Sequence, residues 1–105
     1  MSMSKKIAET IKIDSGGGKY VLRLFVTGML PNSARAVVNI KAICETYLKG
    51  RYELEIIDIY QQPDLALTEE IIAIPLLIKK FPLPEERLIG DLSDIEKVLK
   101  GLRLN

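Results

Sequence analysis

The chain has 105 residues, 48% of them hydrophobic, which suits one domain with a modest core. Its 15 basic residues nearly cancel its 14 acidic ones, so no strong field points towards nucleic acid or an anionic membrane. Histidine is absent, which removes the usual general base and the commonest zinc and haem ligand; the single cysteine, Cys44, excludes an intrachain disulfide and a two-thiol redox couple.

Residues 1–19 read as a flexible extension ahead of the domain. Ile7, Ile11 and Ile13 are thinly spaced among charges, and Gly16-Gly17-Gly18 is a loose joint, so this arm is expected to be partly disordered, with Ile11 and Ile13 able to pair along a sheet edge. Lys5 and Lys6 are followed by Glu9, Thr10, Lys12 and Asp14, which interrupt any apolar core of a signal peptide. The longest apolar run, Ile71 to Ile78, falls far short of the roughly 20 residues of a membrane span. A cytoplasmic protein is expected, binding neither membrane nor nucleic acid.

Residues 20–105 read as one domain. Tyr20 to Val26 is almost continuously apolar, as a central strand covered on both faces would be. Thr27-Gly28 ends it, and Pro31-Asn32-Ser33 offers a rigid φ and capping side chains for a helix from about Ser33 to Leu48, with Val37, Ile40, Cys44 and Tyr47 on its inner face. Lys49-Gly50 stops it. Tyr52 to Ile59 reads as a second strand, parallel to the first through a right-handed crossover.

Gln61 to Asp64 opens a short helix reaching Glu70, with Leu65, Ile71 and Ile72 as its apolar stripe and Leu67 beside them; Leu65 to Leu67 can equally lie as loop. Pro75 lacks an N–H and fits the first position of a strand or an edge; its preceding bond is also a natural place for a cis peptide. Leu76 to Lys80 and Arg87 to Gly90 then form a hairpin around a proline-rich turn. In the last helix Ser93 and Glu96 have capping-box spacing, Leu92, Ile95, Val98, Leu99 and Leu102 form the buried stripe, and Lys97, Lys100 and Arg103 favour the C-terminal end. The order β-α-β-α-β-β-α, an α/β arrangement, is that of the thioredoxin fold.

In a thioredoxin the loop after this first strand carries two cysteines at a helix N-terminus, where a thiolate is stabilised. Here it reads Met29-Leu30-Pro31-Asn32, so dithiol exchange has neither nucleophile nor resolving partner, and no enzymatic activity or cofactor is expected. Cys44 falls mid-helix on the apolar face and reads as core. Asp58 and Asp91 read as a strand-end and a helix-start carboxylate rather than as a catalytic pair. Lys79 and Lys80 with Arg87 make a small basic cluster near the hairpin, read as solvated and edge-protecting, with docking of an acidic partner as the second reading.

Several blocks are more specific. Tyr20 to Gly28, Pro31-Asn32-Ser33 with Arg35-Ala36, Ile57-Asp58-Ile59, Ile74-Pro75, and Arg87 to Asp94 running into Glu96-Lys97-Val98-Leu99 together resemble the KaiB family of circadian-clock proteins over about Tyr20 to Leu102. The resemblance implies a non-enzymatic regulator that binds a KaiC-type ATPase and alters its phosphorylation cycle, and a homo-oligomer, dimer or tetramer. It implies two accessible folds: a thioredoxin-like one and a rearranged resting one whose second half repacks. Low-lying alternatives to the regulator are a thioredoxin-like stress protein using Cys44 and an oligomeric module with a partner outside the clock.

The chain departs from clock members in three places. It stops at Arg103-Leu104-Asn105 without a long acidic tail, its second strand carries Glu53-Leu54-Glu55, which speaks against a KaiA contact, and Arg103 replaces a typically acidic residue. A cation in the last turn favours helix, so the thioredoxin-like form is expected at rest. The expected docking residues are Pro31, Asn32, Lys79, Lys80 and Arg87; the expected structural or switching residues are Pro75, Gly90, Asp91, Ser93, Gly101 and Arg103.

Overall fold

The computed structural model describes residues 19–28 and 30–104. Strand β1 (Tyr20–Val26) leads into α1 (Pro31–Tyr47), then β2 (Tyr52–Asp58), α2 (Pro63–Thr68), β3 (Leu76–Phe81), β4 (Glu86–Ile89) and α3 (Ile95–Gly101). The sheet order is β2-β1-β3-β4. β1 runs parallel to β2 and antiparallel to β3, and β4 is antiparallel to β3. The apolar run at Tyr20 to Val26 is therefore a central strand, as its composition requires.

Alternation along the strands divides the core in two. On one face Leu22, Leu24, Val26 and Leu77 meet Ala36, Ile40, Ile43 and Cys44 of α1 and Val98 of α3. On the other, Phe25, Ile57, Leu76 and Ile78 are covered by Leu65, Ile71 and Ile74. Leu22, Leu24, Phe25, Leu77 and Ile78 are wholly buried, each side chain contributing about 2 kcal/mol of hydrophobic stabilisation. The register shifts between Val21 and Leu22, a bulge at the start of β1 opposite the end of β3.

Several local expectations are corrected. α1 begins two residues early, with Leu30 in the capping position and no side-chain cap; the Ser33 hydroxyl instead accepts the Thr27 N–H at 3.0 Å. Proline at the first helical position has no N–H to leave unsatisfied, and the Ser33 hydroxyl ties the loop to the helix. Tyr47 is exposed, and Ser33, Ala36 and Ile43 join Ile40 and Cys44 as the buried residues of α1. α2 stops at Thr68, and Ile72 and Leu67 are 90% and 80% exposed, so only Leu65 and Ile71 of the expected stripe reach the core. α3 is capped by Asp94, whose carboxylate accepts the Lys97 N–H at 3.2 Å, one residue after the expected Ser93. Ile95 is half-exposed, and Leu92 enters the core from the preceding loop with φ +64°.

β3 extends to Phe81, and β4 spans Glu86 to Ile89 rather than Arg87 to Gly90. The expected arm over residues 1–19 lies outside the described residues except for Lys19, whose ammonium meets Glu53 at 3.1 Å. Among the described residues no helix is long and apolar enough to cross a membrane.

Candidate functional site

The loop between β1 and α1 occupies the place where this fold carries thiols, and its geometry follows from small contacts. Gly28 donates its N–H to Asp58 Oδ2 at 3.3 Å, and a Cβ on Gly28 would lie 2.8 Å from that oxygen. Asp58 also accepts the Tyr60 N–H through Oδ1 at 2.8 Å. This carboxylate thus joins the ends of β1 and β2. Pro31 and Asn32 stand exposed at the first turn of α1; Met29 lies outside the described residues.

Asp91 does similar work on the other side of α1. It forms an ion pair with Arg35 Nε at 3.2 Å and accepts the Ser93 N–H at 3.0 Å, while its carbonyl accepts Asn39 Nδ2 at 2.8 Å. Hydrogen bonds from the Ser93 side chain and backbone, with Arg35 beside them, hold the Asp91 carboxyl below the usual carboxylate range. Arg35 Nη2 also donates to Asn32 Oδ1, so Asn32, Arg35 and Asp91 form one chain of contacts. Asp58 and Asp91 each serve their own loop and form no pair.

Around Pro75 the chain is buried, and the bond before it is cis. Its carbonyl accepts the Gly90 N–H at 3.0 Å, tying the start of β3 to the loop beyond β4. Gly90 has φ +117°, a conformation that glycine alone adopts freely. Beside it a groove of about 180 Å3 is lined by Leu88, Gly90, Asp91, Ser93, Lys97 and Val98. Gly101 lies against Leu88: a Cβ there would sit 2.6 Å from a Leu88 methyl. Arg103, just past α3 with φ +61°, holds Glu86 Oε2 at 2.9 Å. It lies beyond the last helical turn rather than in it, where Lys100 is the basic residue.

The basic cluster does not form as a surface patch. Lys79 is only 1% exposed, so it drops out of the docking set. Lys80 and Arg87 lie on the opposite face of the sheet, where Glu69 gathers them: Lys80 Nζ at 3.0 Å, Arg23 Nη1 at 3.1 Å and Arg87 Nη2 at 3.7 Å. Glu85 flanks the same two cations at 3.4 and 3.7 Å, and Arg87 donates to the Glu69 carbonyl at 2.7 Å. Glu69 was hidden in the sequence because it reads as the end of a helix. The register aligning Arg23, Ile78 and Arg87 across three strands is what brings the cations to it. The structure therefore joins Asn32 to Asp91 and Ser93, and separates them from Lys80 and Arg87.

Cys44 is wholly buried, and burial together with Glu45 pushes its thiol up to about 12. Among the described residues no group of three or more His, Cys, Asp or Glu is placed to hold a metal ion.

Comparison with known proteins agrees with this architecture. The N-terminal domain of SasA from Synechococcus elongatus superposes with a TM-score of 0.67 at 24% identity, covering 90% of this chain and 93% of that one. A thioredoxin from Fasciola hepatica gives 0.68 at 15% identity, covering 96% and 90%. At these identities the likeness establishes the fold alone. The circadian clock oscillator protein KaiB of a Picosynechococcus species is 53% identical over 85 residues, 81% of this chain and 82% of the relative. That of Synechococcus elongatus is 51% identical, covering 81% and 83%. The KaiB domain matches residues 23–104. With the thioredoxin-like element order and this extent of match, the chain belongs to the KaiB family.

Proposed function

We propose that this protein is a non-catalytic clock regulator that works in the cytoplasm by docking on a KaiC-type ATPase and altering its phosphorylation cycle. The observation that carries the reading is the 53% identity with a circadian clock oscillator protein over 85 residues. The local chemistry supports it: Met29 and Asn32 stand where thioredoxins hold their sulfurs, and the one cysteine is buried with its thiol protonated. What remains is shape, charge and exposed surface.

The docking surface we assign comprises Pro31 and Asn32 at the start of α1, with Lys80 and Arg87 as a second region. Copies of the chain associate with one another as a dimer or tetramer in this reading. Pro75, Gly90, Asp91, Ser93, Gly101 and Arg103 set the balance between the thioredoxin-like form and a rearranged one. KaiA is not assigned as a partner, because the outer strand carries Glu53 and Glu55.

Co-elution with KaiC in its unphosphorylated and phosphomimetic states tests the proposal. A complex is expected in at least one state, weakened by Asn32→Ala. Binding in none would overturn it and leave an interaction protein with a partner outside the clock. Insulin reduction separates the redox reading, since wild type and Cys44→Ala are both expected to match a blank.

A further inference from the structure

Lys79 is an anomaly among the buried groups. Its side chain is 1% exposed, and its Nζ has no hydrogen-bond partner among the described residues. A buried ammonium without a partner is costly, and native proteins rarely keep one without cause. Directly across the β3–β4 ladder stands Glu86. Opposed residues of an antiparallel pair share a face, with Cβ atoms about 5 Å apart. The natural partner of Lys79 is therefore within reach, yet Glu86 is engaged elsewhere. Arg103 donates to it through Nε at 3.1 Å and Nη2 at 2.9 Å, both on Oε2, leaving Oε1 without a donor among the described residues.

We propose that Lys79, Glu86 and Arg103 form a latch in which two cations compete for one carboxylate, so that the charge on buried Lys79 sets how firmly the turn after α3 is held against β4. When Lys79 carries its proton, it draws Glu86 inward and repels Arg103. When it is neutral, Glu86 belongs to Arg103 alone and the turn is clamped. The titratable groups buried in the core on this face are Tyr20 of β1, whose hydroxyl is committed to the Leu102 carbonyl, and Cys44 of α1, a neutral thiol; the other ionisable side chains of α1 and α3 are exposed. Burial lowers the Lys79 pKa from the ordinary lysine value; Glu86 opposes this and Arg103 adds to it. It couples the last turn to the core without involving the exposed residues assigned to docking.

Amide exchange reads the latch, because the N–H groups of Arg103 and Leu104 donate to the carbonyls of Lys100 and Leu99. At neutral pH, exchange at these two amides is expected to slow about fivefold in Lys79→Met and to quicken by a similar factor in Glu86→Gln, the scale of one partly exposed ion pair. Exchange in Lys79→Met as fast as in wild type overturns the proposal. A second measurement does not depend on that variant folding: an NMR titration of the Lys79 side chain in wild type and in Arg103→Ala. Losing Arg103 frees Glu86 for Lys79, so the lysine is expected to titrate at higher pH in the variant. An unchanged or lower titration point overturns the latch.

Discussion

The phenolic hydroxyl of Tyr20 donates a buried hydrogen bond to the carbonyl of Leu102 at 3.0 Å, joining the first residue of β1 to the turn that follows α3. The two are 82 residues apart, and this one contact fastens the end of the domain to its central strand. Tyr20→Phe keeps the ring in the core and removes only the donor. A loss of about 1 kcal/mol is expected, seen as a lower urea midpoint with an unchanged slope.

Glu69 is the hub of the opposite face. Its carboxylate is 12% exposed and meets Arg23, Lys80 and Arg87. Glu69→Gln leaves three cations crowded together with only Glu55 and Glu85 to balance them. The expected cost is about 2 kcal/mol, the scale of hydrogen bonds to a partly buried charged group. Thermal unfolding checks this, and Lys80→Ala in the Glu69→Gln background is expected to recover part of the loss by relieving the repulsion.

Asp91 gives the domain an acid dependence of definite sign. Its folded-state pKa lies below the ordinary aspartate value, held down by Ser93 and by Arg35. The contribution is therefore fully present above the unfolded-state pKa and is lost as pH falls through the folded one. Stability of wild type relative to Asp91→Asn is expected to shrink steadily below about pH 4. Paired urea titrations between neutral and acidic pH measure it; a constant difference contradicts the assignment.

Cys44 is expected to be silent in the native state. With a pKa of about 12 against an ordinary 9.0, its thiolate population is depressed by about a thousandfold. Thiol labelling at mildly alkaline pH is expected to be at least that much slower in folded protein than in urea. Cys44→Ala is expected to cost stability through lost packing, about 1–2 kcal/mol, and to leave partner binding unchanged.

Much of the fold is legible in the sequence. The apolar run Tyr20 to Val26, interrupted only by Arg23, required a strand covered on both sides, and the lack of a thiol at Met29 to Asn32 follows from reading the residues. Local signals were less decisive where several acceptors lie close in sequence. Ser93 and Asp94 both suit a helix start, and the loop path chose Asp94, because Leu92 turns into the core with positive φ. Ile72 looked as apolar as Ile71, but only one of two adjacent side chains can face the sheet once α2 ends at Thr68.

By itself the chain determined the element order, the family and the absence of thiol pairs, because these depend on residue type, spacing and local periodicity. Lys79 and Lys80 mark what only the tertiary structure decided. They are neighbours of the same chemistry, and alternation along a strand says that they point apart without saying which points where. The layer above each face settles it: one lysine is enclosed beside Glu86 and Arg103, and the other reaches Glu69 under a turn that ordinary sequence periodicity assigns to a helix. Burial and pairing are properties of what is stacked on a face, and that partner comes from residues far away in the chain.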